Sequence, residues 1–260
     1  MIHKELLHSP TIGSIFGSEV EWIDSGFLTG EENMRFDEER ARAMVSGTAL
    51  PMLRVYGWQP WAVSLGANQK ETDIDHSECE ARGFAIVRRA TGGRAVLHAD
   101  ELTYSLVLRI PEGKTVHDLY RMTHECLLAG LRTITPDIDF EKSQPNFRQV
   151  YAAEPQQTIA CFASSARYEI MHDARKVVGS AQRVFGNVLL QHGSILLGAG
   201  HEQLAAISAR KDGSTADALR EYILSHSATL SEIVGRRVEF QEVAAAIKLG
   251  FWGSNEVRST

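Results

Sequence analysis

The stretch that most constrains this chain reads Arg88-Arg89-Ala90-Thr91-Gly92-Gly93-Arg94-Ala95-Val96-Leu97-His98. Apolar and β-branched residues precede and follow it, so it predicts a loop between two strands. Its paired glycines allow a tight turn and a close approach to a ligand, and successive backbone N–H groups can hold an anion or a carbonyl oxygen. The flanking arginines add planar cationic donors. The same residues also suit a surface β-turn with solvated arginines.

Outward from this loop, strand patterns occur in blocks and helices stand apart from them. Strands are predicted over 53–65 with a turn, and over 84–88, 94–97, 102–110, 158–162, 168–171, 176–184 and 188–197. Helices are predicted over 33–46, 75–81 and 116–132, and residues 200–251 are mostly helical with a short strand near 237–240. A polar connection is predicted over 133–157. This order indicates an α+β fold of mixed or antiparallel sheets flanked by helices, not a βαβ array.

Composition narrows the class of protein. The chain has 260 residues, 43% of them hydrophobic and 23% charged, as in a soluble globular protein with a real core. A net charge of −6 argues against nucleic-acid binding. The three cysteines form no C-x-x-C pair, so neither a metal site nor a disulfide framework is predicted. The sequence has no N-terminal signal pattern and no apolar run of about 18 residues, so we expect a cytoplasmic protein that does not enter a membrane.

Cys161 stands at the end of a predicted strand, and small residues follow it. That context can leave a sulfur accessible, and a nearby cation lowers the thiol pKa enough to make a nucleophile. Lys176 is the candidate cation, because the chain returns through the turn at 172–175. The plainer interpretations are a buried, inert cysteine and a surface lysine. Cys79 and Cys126 fall in helical patterns and are interpreted as inert.

His192 lies in the apolar strand predicted over 188–197, beside Gly193. A glycine inside a strand indicates a bulge or a close approach of another backbone. His192 is therefore either a catalytic residue or a core histidine bonded to a backbone carbonyl, and the sequence leaves both open.

In order, these segments resemble the biotin/lipoate protein ligase superfamily, and within it the octanoyltransferases of the LipM type. The resemblance runs from about residue 22 to 197, on 32–34 with 37–38, 53–58, 64–66 with Gln69, 88–98, 101–105, 175–182 and 191–194. Cys161-Phe162 and Tyr168-Glu169, with a lysine 15 positions after the cysteine, match the LipM-like group. The chain departs from the family at 163–166, where Pro-Ser is usual, and at Asp173-Ala174, where a glycine is usual.

The resemblance implies a single catalytic domain over residues 1–260, with a core at about 22–197 and a helical part at 198–260. It implies that Cys161 takes an octanoyl group from acyl carrier protein, with Lys176 stabilising the thiolate. The acceptor would be a lipoyl-domain lysine, of the glycine cleavage H protein or of a 2-oxo acid dehydrogenase E2 subunit. No cofactor, no metal and a monomeric state are expected.

The resemblance also implies a set of substrate-binding residues, some of which line the acyl and pantetheine channel. Three arginines of the loop would steer the acidic partner proteins, and two histidines would form the wall or handle protons. The set is Arg88, Arg89, Thr91, Gly92, Gly93, Arg94, Ala95, His98, Gly179, Ser180, Ala181, His192 and Gly193.

Two other readings stay open. An ATP-dependent lipoate or octanoate ligase would use Lys176 to hold an acyl-adenylate, with ATP and Mg²⁺, and Cys161 would be incidental. A protein that only binds lipoyl domains or acyl carriers would need none of this chemistry.

Overall fold

The computed structural model describes residues 2–7, 19–141, 168–209 and 215–253. Cys161 and the strand predicted over 158–162 lie outside the described residues, as do residues 142–157 of the predicted connection. Within the described ranges the chain forms two β-sheets and the helices that cover them.

The larger sheet contains eight strands, one of which pairs in parallel with its neighbour. These strands are β1 (His3–Leu7), β2 (Val20–Leu28), β3 (Met52–Trp58), β7 (Glu101–Arg109), β8 (Asp139–Phe140), β9 (Ile170–His172), β10 (Arg175–Phe185) and β11 (Val188–Leu196). Their order is β1-β2-β3-β7-β11-β10-β9-β8. β2 and β3 run parallel and the other neighbours run antiparallel, so the sheet is mixed, as predicted.

The smaller sheet has three strands and carries the loop that opened the sequence analysis. They are β4 (Ala62–Leu65), β5 (Ala85–Arg88) and β6 (Val96–His98), in the order β5-β4-β6. β4 pairs in parallel with β5 and antiparallel with β6. Because β5 and β6 flank the loop, the predicted strand–loop–strand arrangement is confirmed.

The helices predicted over 33–46, 75–81 and 116–132 are confirmed. The part predicted as mostly helical, 200–251, contains several separate helices. In chain order, the α-helices are α1 (Gly30–Val45), α2 (His76–Ala81), α3 (Val116–Leu131), α4 (Leu204–Ile207), α5 (Ala216–His226), α6 (Leu230–Val234) and α7 (Phe240–Trp252). None of them is long and apolar enough to cross a membrane.

The short strand predicted near 237–240 is wrong. Glu239 is the N-cap of α7, and Phe240 is already helical. Val238 gives the segment its β-like pattern, but its side chain is buried in the core and its N–H donates to Ser231 Oγ at 3.0 Å. A single apolar residue that anchors a loop therefore mimics a strand.

Two layers of helix sandwich the large sheet. α3 and α7 pack on one face, where Trp22 and Trp252 meet edge to face at 5.8 Å. α1 packs on the other face, through Ala41 and Met44. β3 follows the two-residue period of a strand, since Leu53 belongs to the first layer and Met52 to the second. The second layer leaves room for the smaller sheet beside α1.

The hairpin between β9 and β10 turns on Asp173 and Ala174, which both have a positive φ, of 45° and 61°. In place of the glycine usual in the family, residues with a Cβ atom thus adopt the left-handed conformation here. A left-handed conformation costs a residue with a Cβ atom roughly 1–2 kcal/mol. We expect Ala174→Gly to raise the free energy of unfolding by about 1 kcal/mol, measured by urea denaturation. An unchanged or lower stability would contradict this account of the turn.

Candidate active site

A pocket lies between the two sheets, beside α1. The described residues that line it are Met34, Tyr56, Trp58, Ser64, Arg89, Val96, His98, Thr103, Gly179, Ser180, Ala181, His192, Gly193 and Ser194. Seven of the thirteen predicted substrate-binding residues are in this set: Arg89, His98, Gly179, Ser180, Ala181, His192 and Gly193. The structure thus brings together residues that are up to about a hundred positions apart in the chain.

The other predicted residues support this wall from behind or face elsewhere. Ala95 is buried in the core of the smaller sheet. The carbonyl oxygens of Gly92 and Arg94 accept hydrogen bonds from Arg89, at 3.0 Å and 2.5 Å. A Cβ atom on Gly66, which follows β4, would collide with the carbonyl oxygen of Gly93. The absence of a side chain at Gly66 therefore allows the loop to pack closely against the end of β4.

Arg89 does not form part of the predicted steering surface. Arg89 is 5% exposed, and its guanidinium donates to Ser64 O at 2.8 Å and to the loop carbonyls. Arg88 donates to Gly66 O at 2.9 Å and pairs with Glu71. A guanidinium committed to backbone oxygens organises the loop, because each carbonyl can only accept. Arg89 in particular lies too deep to attract a partner protein.

His192 belongs to a network of hydrogen-bonded side chains. Its Nε2 lies 2.6 Å from Thr91 Oγ1, and its Nδ1 lies 3.5 Å from Asp37 Oδ2. Arg54 Nη1 donates to Asp37 Oδ1 at 2.9 Å, and Tyr56 donates to Oδ2 at 3.0 Å. Burial alone would raise the pKa of Asp37, but the hydrogen bond from His192 and the charge of Arg54 outweigh it and hold the pKa low. Burial lowers the pKa of His192, so the ring is neutral. The histidine is satisfied in the core, by side chains and not by the expected carbonyl, and it also lines the pocket.

His98 is fixed on three sides. Its ring stacks on Trp58 with centroids 3.8 Å apart, its Nδ1 lies 2.8 Å from Glu101 Oε1, and its Nε2 lies 2.7 Å from Ser64 Oγ. Glu101 Oε1 also accepts from Ser194 at 2.9 Å. With its nitrogens committed, His98 acts as a rigid wall of the pocket.

Lys176 is buried, with 2% exposure, and forms an ion pair with Glu169. The ammonium lies 3.0 Å from Oε1 and 2.9 Å from Oε2, and Glu169 is itself 4% exposed. The lysine does not line the pocket described above. Burial lowers the pKa of His124, and the charge of Lys176 adds to that effect. His124 in turn bonds pocket residue Ser180 at 2.9 Å. Cys161 lies outside the described residues, so the structure gives no distance between it and Lys176. The burial of Lys176, however, is clear. The interpretation of Lys176 as a surface lysine is therefore wrong.

The two other cysteines are poor nucleophiles. Burial raises the pKa of Cys79 to about 11 and that of Cys126 to about 12. Both lie in helices, α2 and α3, as predicted. A thiol with such a pKa is almost wholly protonated at neutral pH, so neither cysteine is a ready source of thiolate.

Gly193 leaves no room for a side chain. An added Cβ atom would collide with Ser180 Oγ and lie 2.7 Å from Gly179 O and from Tyr104 Cε1. We expect Gly193→Ala to lower the free energy of unfolding by about 1–3 kcal/mol, because the ring and backbone cannot yield. Gly92→Ala is the matched control for stability, since no described atom lies within 4 Å of its added Cβ. Equal losses of stability in the two variants would contradict the packing argument.

Sequence reasoning used Asp37 and Glu169 only as family markers and missed His124. A signal existed for Asp37, because its spacing places it on the same helical face as Met34, Ala41 and Met44. A buried carboxylate is stable only when a cation or hydrogen-bond donors pair with it, and Arg54 pairs with Asp37. His124 carried a weaker signal, since it lies on the face of α3 that holds Leu127 and Leu131.

The described residues contain no group of three His, Cys, Asp or Glu side chains arranged to hold a metal ion. This finding concerns geometry alone.

Comparisons with known proteins give a consistent result. A family model described as "Lipoyl protein ligase A/B catalytic domain" matches residues 29–252. The chain is 38% identical to the octanoyltransferase LipM of Exiguobacterium sibiricum, over 84% of this chain and 80% of the relative. It is 38% identical to the octanoyltransferase LipM of Symbiobacterium thermophilum, over 90% of this chain and 86% of the relative.

Among solved structures, the fold is similar to that in a structure of an archaeal lipoylation system, described as a bi-partite lipoate protein ligase and its E2 lipoyl domain, from Thermoplasma acidophilum. The TM-score is 0.66 at 20% identity, over 86% of this chain and 79% of that chain. At this identity the likeness establishes the fold of the chain and nothing about its chemistry.

Proposed function

The chain belongs to the lipoyl protein ligase A/B catalytic domain family and is an acyltransferase of the LipM octanoyltransferase type, and we propose that it transfers octanoyl from acyl carrier protein to a lipoyl-domain lysine through a thioester on Cys161. The acceptor is the glycine cleavage H protein or a 2-oxo acid dehydrogenase E2 subunit. The enzyme works in the cytoplasm as a monomer.

The proposal divides the transfer into two half-reactions. The Cys161 thiolate attacks the thioester of the octanoyl carrier, the new S–C bond forms, and the pantetheine thiolate leaves. The lysine amine of the acceptor then attacks the Cys161 thioester, and an amide replaces it. The first exchange is close to thermoneutral and the second is downhill. The substrate is already activated, so neither ATP nor a metal ion is needed.

The observation that carries the proposal is the buried pair of Lys176 and Glu169. Glu169 holds the ammonium at 2.9–3.0 Å, so the charge of Lys176 is buried and fixed in direction. A cation close to a thiol favours the ionised sulfur, and this supports Cys161 as a nucleophile. The similarity to relatives named octanoyltransferase LipM supports the transferase over the ATP-dependent ligase.

The test is a transfer assay without ATP. The protein, octanoyl-loaded acyl carrier protein and a lipoyl domain are mixed in the presence of a chelator, and the mass of the lipoyl domain is followed. We expect the domain to gain one octanoyl group. Modification that requires ATP and free octanoate would establish the ligase instead. Tight binding of either protein partner without turnover would establish a binding protein.

A further inference from the structure

Three arginines and Phe185 meet at the end of the large sheet where α1, β7 and β10 terminate. The guanidinium carbons of Arg42 and Arg183 lie 5.7 Å and 5.2 Å from the centroid of the Phe185 ring. Arg109 and Phe185 are both in register with Val188 of β11, so their side chains share the face of the sheet on which α1 packs. The surface that we call the arginine patch consists of Arg42, Val45, Arg109, Arg183 and Phe185.

The arginine patch is exposed and positively charged. Its three arginines are exposed, and Val45 keeps 46% of its surface accessible. Among the described residues, Glu38 is the only carboxylate that forms an ion pair with any of the three, at 3.3 Å from Arg42. Arg109 and Arg183 therefore keep their charges without a carboxylate partner in the described ranges. The patch is a local positive surface on a chain whose net charge is −6.

The guanidinium groups of the patch are already held in place. Arg109 donates to Met44 O at 2.6 Å and to Asn187 Oδ1 at 3.0 Å, and Arg183 donates to Ala90 O at 2.7 Å. Each guanidinium has five N–H groups, so most of them stay available to a partner. Side chains that are ordered beforehand lose little conformational entropy on binding, and arginine and aromatic residues are enriched in protein interfaces. The patch therefore suits a protein that presents carboxylates.

The arginine patch adjoins the pocket without lining it. Ala181 of β10 lines the pocket, and Phe185 lies four residues further along the same strand, roughly 13 Å away at the rise of a β-strand. Ala90, which Arg183 contacts, directly follows the pocket residue Arg89 in the loop between β5 and β6. A protein bound at the patch would thus sit to one side of the pocket.

We propose that the arginine patch docks the acidic acyl carrier protein that delivers the octanoyl group. This inference rests on the proposed function for the identity of the carrier and concerns its binding, not the chemical steps. Carboxylates of the carrier pair with the arginines, and Val45 and Phe185 form the apolar centre of the contact. The offset from the pocket favours the donor over the acceptor, because a long pantetheine arm spans it. The acceptor lysine has only a four-carbon stem, so its protein must sit directly over the pocket.

The test compares two octanoyl donors in the transfer assay with saturating lipoyl domain. Arg42→Glu and Arg183→Glu are each expected to raise the KM for octanoyl carrier protein about 10-fold and to leave kcat unchanged. With octanoyl-pantetheine, which has the same arm but no protein and no charge, both variants should match the wild type. Arg183→Gln keeps a donor for Ala90 O and should raise the KM less. Titration of the protein with octanoyl carrier should show the same weakening in Kd, and wild-type binding should weaken as salt is added.

Arg236→Glu is the matched control. Arg236 is exposed, pairs with Glu242 of α7 on the other face of the sheet, and gives the same change of net charge as Arg42→Glu, so the KM for the carrier should stay at the wild-type value. An unchanged KM and Kd in Arg42→Glu would overturn the inference. A rise in the KM for the lipoyl domain in place of the carrier would overturn it too, and would assign the patch to the acceptor. Equal slowing with octanoyl-pantetheine would indicate a structural effect and contradict docking.

The two proposals fail in different ways. If the wild type transfers octanoyl from neither donor, the proposed function itself fails. The titration with octanoyl carrier does not depend on turnover, so it still decides whether the arginine patch binds the carrier.

Discussion

Cys161→Ala is expected to reduce octanoyl transfer at least on the order of 1000-fold, to the background rate. Removal of a covalent nucleophile leaves no route through the thioester, and binding alone recovers little of the rate. The measurement is the initial rate of octanoyl appearance on a lipoyl domain, with circular dichroism to establish that the variant is folded. Cys161→Ser tests the same point, because a hydroxyl in that place is a far weaker nucleophile at neutral pH.

Cys126→Ala and Cys79→Ala are the matched controls for this prediction. Burial raises the pKa of both thiols, to about 12 and about 11, so neither supplies a thiolate. We expect both variants to keep most of their activity, with a modest loss of stability for Cys79, which is 1% exposed. An active Cys161→Ala enzyme would end the covalent proposal.

Lys176→Met is expected to cost about 3–5 kcal/mol of folding free energy and to abolish transfer. The substitution leaves the Glu169 carboxylate buried without the ammonium that it contacts on both oxygens, and an uncompensated buried charge is expensive. Urea denaturation measures the first effect and the transfer assay the second.

The double variant Lys176→Met with Glu169→Gln separates stability from chemistry. With the charge removed, most of the lost folding free energy should return, because a neutral pair of similar volume is tolerated. Transfer should stay absent, since no cation remains to stabilise the thiolate. Recovery of activity together with stability would show that Lys176 serves only the fold.

A second ion pair at the same hairpin gives the control. Arg175 precedes Lys176 and pairs with Glu232 at 2.6 Å, but both side chains are partly exposed. Exposed pairs contribute about 0–1 kcal/mol, so Arg175→Ala should have a small effect on stability. A loss as large as that of Lys176→Met would mean that the hairpin as a whole, and not burial, determines the result.

The sheets and long helices were predictable because their patterns are local. α1, α2 and α3 and most strands follow from apolar period and from Gly and Pro positions. The short β8 was not predicted, since its two residues, Asp139 and Phe140, carry no periodic signal. The burial of Lys176 accompanies a register shift between Lys176 and Val178, and such a bulge has no mark in a sequence.

The sequence predicted seven of the fourteen described residues that line the pocket, but not the contacts that each of them makes. Arginine is almost never fully buried unless it is paired, so composition favoured Arg89 on the surface. The structure buries it because the turn presents several carbonyl oxygens to one guanidinium. Ser180 and His124 lie far apart in the chain, and only the folded protein brings Ser180 Oγ within 2.9 Å of His124 Nε2.

The most direct measurement of the central claim is the intact mass of the protein after it is mixed with octanoyl carrier without ATP. We predict a gain of one octanoyl group, located on Cys161 by peptide mapping, removed by neutral hydroxylamine and lost on addition of a lipoyl domain. A protein that modifies the lipoyl domain at full rate while its own mass never changes, or whose acyl group lies on another residue, would contradict the account.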